Sequence, residues 1–340
     1  MMQADTGLPP SPITSEVDLD ASGKQVGYLR LPHSVHRSAY GWLPIPVASI
    51  ASGQGPAILV MAGNHGDEYE GQILVSRLIR EIDPQWVRGQ LILLPMANYP
   101  AARAGSRTSP LDEGNLNRSF PGNPRGTPTQ VIADYIERSL LTRVRVVIDL
   151  HSGGSSLRYD GATLFAQRDP DPVGQERLLA ALHAFGLPLS FINDSPNPVG
   201  LLAAARRRGA MALFAELGGG GEVTSSVLDT AWQGLLHVLG HLGVLHGPQV
   251  PAAPPHRTRL LHVNRASHYV HARDDGIFEP LAQLGDRVKA GQPAARLHSP
   301  SHPEREPARV DFPADGVVVC RRVPALTECG DCLFQLAADL

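Results

Sequence analysis

Runs of apolar residues alternate with segments of helical periodicity along most of the chain. Four apolar runs predict buried strands, at residues 57–61, 91–94, 145–150 and 211–215. Apolar residues spaced three and four apart predict helices over residues 72–82, 127–141, 175–185, 201–208 and 224–245. Because strands and helices alternate, we expect an α/β sheet that helices cover on both faces.

The pattern changes after a proline-rich segment at residues 248–255. Beyond it, short strand-like pieces are separated by glycine turns, which is typical of a small all-β domain. We therefore predict a flexible leader over 1–22, a large α/β domain over 23–247, a stiff linker over 248–255 and an all-β domain over 256–340.

Charge and hydropathy exclude several classes of partner. The net charge of the 340-residue chain is −3, which gives no electrostatic reason to expect nucleic acid or an anionic membrane as a partner. No apolar stretch approaches the about 20 residues that span a bilayer. The first residues lack the charged-then-apolar pattern of a secretory signal, so we expect a cytoplasmic protein. Association into a homo-oligomer is left open.

The three cysteines, Cys320, Cys329 and Cys332, all lie near the end of the sequence. An odd, clustered count does not resemble a disulfide framework, and we expect ordinary structural thiols. Cys329 and Cys332 also have the spacing of half a zinc knuckle or of a redox pair, but no second pair of ligands has matching spacing.

Polar residues with metal-binding or acid–base side chains follow three of the predicted strands. His65 and Glu68 come after the first strand, His151 after the third and Glu216 after the fourth. Two histidines and one carboxylate are the protein ligands of hydrolytic zinc sites, and a further carboxylate is needed to move protons. Taken singly, each residue also fits a purely structural role. His65 and Glu68 could belong to a helix-capping turn, His151 could be a buried histidine, and Glu216 could cap a glycine-rich turn. Their joint placement at strand ends favours a site.

A long loop over residues 98–122 carries further candidates. Arg107 is suited to stabilising an oxyanion, and Asn117 with Arg118 forms a fork suited to a carboxylate. Pairs of this kind also hold loops to backbone carbonyls, so the loop alone leaves both interpretations open.

Four motifs in this order resemble the succinylglutamate desuccinylase/aspartoacylase family of the zinc carboxypeptidase superfamily: Gly-x-His-Gly-x-Glu, Asn-Leu-Asn-Arg-x-Phe-Pro-Gly, Asp-Leu-His-Ser-Gly and a late Glu-Leu-Gly. The resemblance implies a mixed sheet flanked by helices, a small C-terminal β domain and one Zn²⁺ per chain. It also implies that zinc is held by His65, Glu68 and His151 and that Glu216 is the general base. By the same resemblance, Arg107 polarises the substrate carbonyl, and Asn117 and Arg118 bind the substrate's α-carboxylate.

Within that family, the sequence around these motifs is most similar to the N-acetyl-diaminobutyrate deacetylases of ectoine breakdown. The resemblance implies a zinc amidohydrolase that removes acetate from the α-nitrogen of a small N-acyl amino acid. Three alternatives stay open: a desuccinylase or aspartoacylase with an acidic substrate, a peptide carboxypeptidase, and an inactive binding module of the same fold. Candidates for reading the substrate's side chain are basic or aromatic for a carboxylate (158–159 and 206–208) and acidic for an amine (Asp160, Asp194 and Glu222).

The β domain contains a turn, residues 285–292, that resembles the biotinyl and lipoyl domains. It lacks a lysine at the tip position that is modified in those domains. We therefore expect a lid or assembly domain and not a carrier of a prosthetic group.

Overall fold

A computed structural model describes residues 9–193, 198–252, 254, 257–263 and 267–340. The strands of these residues, numbered β1 to β18 in chain order, are Thr14–Ser15, Gly23–Pro32, Trp42–Ser52, Ala57–Ala62, Gly89–Leu94, Val146–His151, Leu157–Gln167, Leu189–Asn193, Met211–Gly219, Arg259–Val263, Tyr269–His271, Gly276–Pro280, Arg287–Val288, Pro293–His298, Ala308–Asp311, Gly316–Arg322, Leu326–Thr327 and Cys332–Asp339.

The α-helices of the same residues, numbered α1 to α6, are Tyr69–Glu81, Tyr99–Ala104, Pro128–Tyr135, Pro172–Phe185, Leu201–Arg207 and Ser225–His241. A π-helical segment, Ile136–Leu140, continues α3, and short 3-10 turns cover Pro84–Trp86, Leu116–Arg118 and Gly247–Gln249. None of the described helices is long and apolar enough to cross a membrane. The α/β fold class predicted from the sequence is confirmed.

The chain divides into two compact units. The first contains Met1–His151, Asn197–Leu213 and Leu236–Ala252, and the second contains Ser152–Pro196, Phe214–Leu235 and Ala253–Leu340.

The first unit is built on a mixed sheet with the strand order β1-β2-β3-β5-β4-β6. Strands β5, β4 and β6 are parallel, whereas β1, β2 and β3 are antiparallel to their neighbours. Strand β6 is buried along its whole length and β4 along nearly all of it, because helices cover both faces of a parallel sheet. These strands therefore read as continuous apolar runs, and the polar candidate site residues lie at or just after their carboxyl ends.

The expected leader is wrong for the described part of that segment. Strand β1 pairs with β2, placing Thr14 opposite Arg30, and Ile13 and Val17 are buried in the core of the first unit. The apolar side chains at these two positions, 6% and 4% exposed, hold the segment against the sheet. Residues 1–8 lie outside the described residues.

In the second unit, β7, β8 and β10 are parallel, and the sheet continues through the antiparallel strands β18, β16 and β13. A separate antiparallel sheet has the order β15-β14-β12-β17. From Arg259 onward the described elements are all strands, as predicted for the C-terminal domain. The predicted domain limits stay a prediction. Linker residues 253 and 255 and the first residue of the predicted β domain, 256, lie outside the described residues.

Candidate metal centre

The turn after β4 brings His65 and Glu68 to one place. Gly63 has a φ of +68°, a left-handed conformation that a glycine adopts without steric cost. A side chain at Gly66 would meet the backbone of Ala101 in α2 at 2.0 Å, so only glycine allows this approach. The two glycines thus serve the tight turn for different reasons, one conformational and one steric.

His65, Glu68 and His151 converge within the first unit. The Nδ1 atom of His65 lies 2.6 Å from Oε1 of Glu68, and Nδ1 of His151 lies 2.8 Å from Oε2 of the same carboxylate. All three side chains are buried, and one donor atom from each lies within 4.8 Å of the others. Among the described residues this is the one such group of metal-ligating side chains. The structure thus brings together the three residues that the sequence indicated as candidate ligands.

The opposite ring nitrogens of both histidines also have partners. Nε2 of His151 lies 2.7 Å from Oδ2 of Asp149, and Nε2 of His65 lies 3.2 Å from Oδ1 of Asn115. A hydrogen on each Nε2 would satisfy both partner oxygens, and each Nδ1 would then be the atom that faces a metal. Two buried imidazole nitrogens and a carboxylate are a donor set that suits Zn²⁺.

Burial and charge act in opposite directions on the ionisable groups of this cluster. Burial alone would raise the pKa of Glu68, but the charges of His151 and His65 outweigh it and lower that pKa to about 2. For His151, burial acts to lower the pKa, whereas the charges of Asp149 and Glu68 raise it well above the ordinary value of 6.5. The cluster therefore favours a negatively charged Glu68 beside a positive charge, which either a protonated histidine or a bound metal ion would supply.

Arg107 brings a further positive charge to the ligands. Its Nη1 lies 3.4 Å from Nδ1 of His65 and 3.7 Å from Oε1 of Glu68, and its side chain is half-exposed. A guanidinium in this position can donate hydrogen bonds to an oxyanion that forms beside the ligands.

The predicted carboxylate-binding pair lies on the short turn Leu116–Arg118 of the same unit. Oδ1 of Asn117 accepts a hydrogen bond of 2.9 Å from the backbone amide of Leu201, the first residue of α5. This bond fixes the orientation of the side-chain amide. Arg118 is exposed and donates to the backbone oxygen of Asn117 at 2.9 Å.

Glu216 belongs to the second unit, near the end of β9, and is 8% exposed. The turn that follows is fastened to residues 153–157 of that unit by three backbone hydrogen bonds, those of Gly153 to Gly218, Gly220 to Leu157 and Gly221 to Gly154. All four glycines of the turn, 218–221, have positive φ values. Within the second unit these glycines allow the backbone of residues 153–157 to approach closely.

The sequence interpretation missed Asp149, Asn64 and the contact of Asn115. Asp149 precedes His151 by two positions in β6, and residues two apart in a strand point to the same face, so this signal was present in the sequence. The contact of Asn115 with His65 joins residues fifty positions apart, and no local pattern predicts it.

Comparison with known proteins agrees with this geometry. Residues 54–242 match the model of the succinylglutamate desuccinylase/aspartoacylase catalytic domain. The chain belongs to this family. Its members are deacylases that hydrolyse N-acyl amino acids. The N-alpha-acetyl-L-2,4-diaminobutyric acid deacetylase of Halomonas elongata is 40% identical to it over 331 residues, covering 96% of this chain and 95% of that protein.

Solved structures of similar proteins match nearly the whole length of this chain. A succinylglutamate desuccinylase from Silicibacter sp. TM1040 superimposes with a TM-score of 0.92 at 36% identity, covering 98% of this chain and 100% of the other. The product-bound ectoine utilization protein EutE (DoeB) from Ruegeria pomeroyi gives a TM-score of 0.92 at 37% identity, covering 97% and 100%.

Proposed function

We propose that this family member is a zinc-dependent deacetylase that releases acetate from the α-nitrogen of N-acetyl-L-2,4-diaminobutyrate during ectoine degradation. The activity named for the Halomonas elongata relative and the ectoine utilization protein among the similar structures support this substrate. The observation that carries the proposal is the buried cluster of His65, Glu68 and His151, which retains every metal-ligating group that a hydrolytic site needs. An inactive binding module would have no reason to retain it.

Zinc is the metal that this cluster suits best. One Zn²⁺ per chain would be held by Nδ1 of His65, Nδ1 of His151 and the carboxylate of Glu68. When bound, zinc supplies a water of lowered pKa and polarises the amide carbonyl. With three protein ligands, the ion would still have room for that water or for substrate.

The remaining steps belong to side chains of this chain. We assign Glu216 as the general base that takes the proton from the attacking water and delivers it to the leaving nitrogen, as the family resemblance implies. Arg107 donates hydrogen bonds to the oxygen of the tetrahedral intermediate, which is consistent with its place beside His65 and Glu68. The proton passes from water to nitrogen, the C–N bond breaks, and acetate and the free amine leave.

Asn117 and Arg118 are proposed to bind the α-carboxylate of the amino acid. The hydrogen bond from Leu201 to Oδ1 of Asn117 turns the donor side of that amide outward, which suits an anion. The guanidinium of Arg118 supplies the charge, because arginine can bind a carboxylate through two parallel hydrogen bonds.

Ion pairs already engage several of the candidates for reading the substrate's side chain. Arg207 and Arg208 both form ion pairs with the buried Glu137, at 2.7 Å and 3.4 Å, so these charges are already engaged. Arg158 likewise pairs with Glu222 at 2.9 Å, which engages both a basic and an acidic candidate. Of the other acidic candidates, Asp194 lies outside the described residues, and Asp160 has no ion-pair partner among the described residues.

Side-by-side kinetics test this substrate assignment. We expect kcat/KM for N-acetyl-L-2,4-diaminobutyrate to exceed that for N-acetylaspartate and for succinylglutamate by at least tenfold, a difference of about 1.4 kcal/mol in transition-state binding. Faster turnover of either acidic substrate would replace the deacetylase assignment with that of an aspartoacylase or a desuccinylase. Release of C-terminal residues from blocked dipeptides would indicate a carboxypeptidase instead.

A further inference from the structure

Asp149 lies beneath the candidate metal site and has no role in the steps described above. It is buried, and its Oδ2 accepts a hydrogen bond from Nε2 of His151 at 2.7 Å. The same oxygen accepts a second hydrogen bond, of 3.0 Å, from Nδ2 of Asn64, which is completely buried. Two donors therefore converge on one carboxylate oxygen, and both are fixed on the segments that carry the metal ligands.

We propose that Asp149 is a positioning residue that holds His151 in the tautomer whose Nδ1 is free for the metal, and that Asn64 in turn holds Asp149. The inference rests on the zinc site of the proposed function and adds to it the residues that set its affinity. A histidine with two ring nitrogens has two neutral tautomers, and a fixed acceptor at Nε2 selects the one that presents Nδ1.

Local geometry explains why these residues can act together. Asp149 and His151 point to the same face of β6 because they are two residues apart. Asn64 directly precedes the ligand His65 in the turn after β4, and β4 is the parallel neighbour of β6. The buried contact from Asn64 to Asp149 thus adds a side-chain link between the segment that carries His65 and Glu68 and the strand that carries His151.

The two ligand histidines differ in the charge of their partners. Asp149 offers His151 a carboxylate, whereas Asn115 offers His65 a neutral amide oxygen at the longer distance of 3.2 Å. Hydrogen bonds to an ionised acceptor are about twice as strong as neutral ones. We therefore expect His151 to be the more rigidly oriented ligand and Asp149 to contribute more than Asn115 to metal affinity.

The test compares zinc dissociation constants, measured by competition with a chromophoric chelator in the absence of substrate. Asp149→Ala removes the acceptor, and we expect zinc binding to weaken 10- to 100-fold. Asp149→Asn keeps an oxygen toward the two donors and removes the charge, so we expect a loss of about tenfold. Asn115→Ala is the matched change at the other histidine, with a smaller expected loss.

Two further measurements separate positioning from a general loss of stability. Asp134→Asn alters another buried, hydrogen-bonded carboxylate of the same unit, one that pairs with Arg138 in the helical segment after residue 128, and it should leave zinc affinity within twofold of the parent. The absorption spectrum of the Co²⁺-substituted protein should change in Asp149→Asn and not in Asp134→Asn. If Asp149→Ala fails to fold, Asp149→Asn and Asn64→Ala carry the test.

Zinc affinity within twofold of the parent in Asp149→Asn, with an unchanged Co²⁺ spectrum, would overturn the proposal. An equal loss of affinity in Asp134→Asn would also overturn it, since stability would then explain the effect. The readout is independent of turnover. If the parent released no acetate, the proposed function would fail while the zinc affinities still decided this inference.

Discussion

The carboxylate of Asp112 accepts two hydrogen bonds from Thr129, one from the backbone amide and one from the hydroxyl, each of 2.8 Å. Thr129 is the second residue of α3, so the amide is one of those that a helix cannot satisfy internally. Oδ1 of Asp112 also accepts from the backbone amide of Gly114 at 3.2 Å. One carboxylate thereby ties the loop that carries Arg107 and Asn117 to the start of a helix.

We expect Asp112→Ala to lower the free energy of unfolding by about 1–2 kcal/mol, because the substitution removes a helix cap and leaves donors unpaired. Urea denaturation at pH 7 measures the change. Asp229→Ala, at an exposed position of α6, is the control and should stay within about 0.5 kcal/mol of the parent. Equal midpoints for the two variants would show that Asp112 does not hold the loop.

The same carboxylate predicts a pH dependence of stability. Burial acts to raise the pKa of Asp112, but hydrogen bonds from Thr129, Thr127 and Ser109 outweigh it and lower the pKa below the ordinary value of 3.8. A folded-state pKa below the unfolded value means that the contribution is fully present above the unfolded value and is lost as pH falls through the folded value. The stability difference between parent and Asp112→Asn should therefore shrink below about pH 4. A difference that stays constant from pH 7 to pH 3 would contradict this.

The glycine turn after Glu216 predicts a large local cost of substitution. Gly219 has a φ of +124°, and a side chain there would approach the backbone oxygen of Leu157 to 2.4 Å. Gly291, also at positive φ, has nothing within 4 Å of the corresponding position. We expect Gly291→Ala to cost about 1–2 kcal/mol from conformation alone and Gly219→Ala to cost clearly more, because a steric clash is added. Thermal unfolding of both variants checks this, and similar melting temperatures would remove the steric argument.

Zinc affinity should change with pH at values higher than those at which a free histidine titrates. His151 must lose its proton before Nδ1 can bind a metal, and Asp149 and Glu68 raise its pKa well above 6.5 against the effect of burial. We therefore expect the zinc dissociation constant to rise steadily as the pH falls, and this rise should begin at a pH above 6.5. Chelator competition from pH 6 to pH 9 measures it. An affinity that is flat down to pH 6.5 would mean that no ligand with a raised pKa competes with the metal.

The sequence indicated the candidate metal ligands because their signals are local. His65, Glu68 and His151 each follow an apolar run, and the carboxyl ends of neighbouring parallel strands meet at one edge of a sheet. The helices could be predicted for the same reason, since the first residues of α1, α4, α5 and α6 are all within about three residues of the predicted ones. Where a local pattern determines the element, the prediction was sound.

Other features depend on contacts that no short pattern encodes. Strands β7 and β8 were not predicted: β7 carries polar residues over Arg158–Asp160, and β8 has only five residues. Ile13 and Val17 were assigned to a loose leader because the surrounding residues are polar, yet tertiary packing buries both. The partner of His65, Asn115, is fifty residues away along a loop without periodicity.

The central claim is that His65, Glu68 and His151 hold a catalytic zinc ion and that Glu216 moves protons without binding it. The most direct measurement is zinc per chain together with acetate release from N-acetyl-L-2,4-diaminobutyrate, in the parent, His151→Ala and Glu216→Ala. We predict one zinc per chain and turnover in the parent, loss of both in His151→Ala, and retained zinc with turnover reduced at least a hundredfold in Glu216→Ala. Full activity in Glu216→Ala, or unchanged zinc in His151→Ala, would contradict the account.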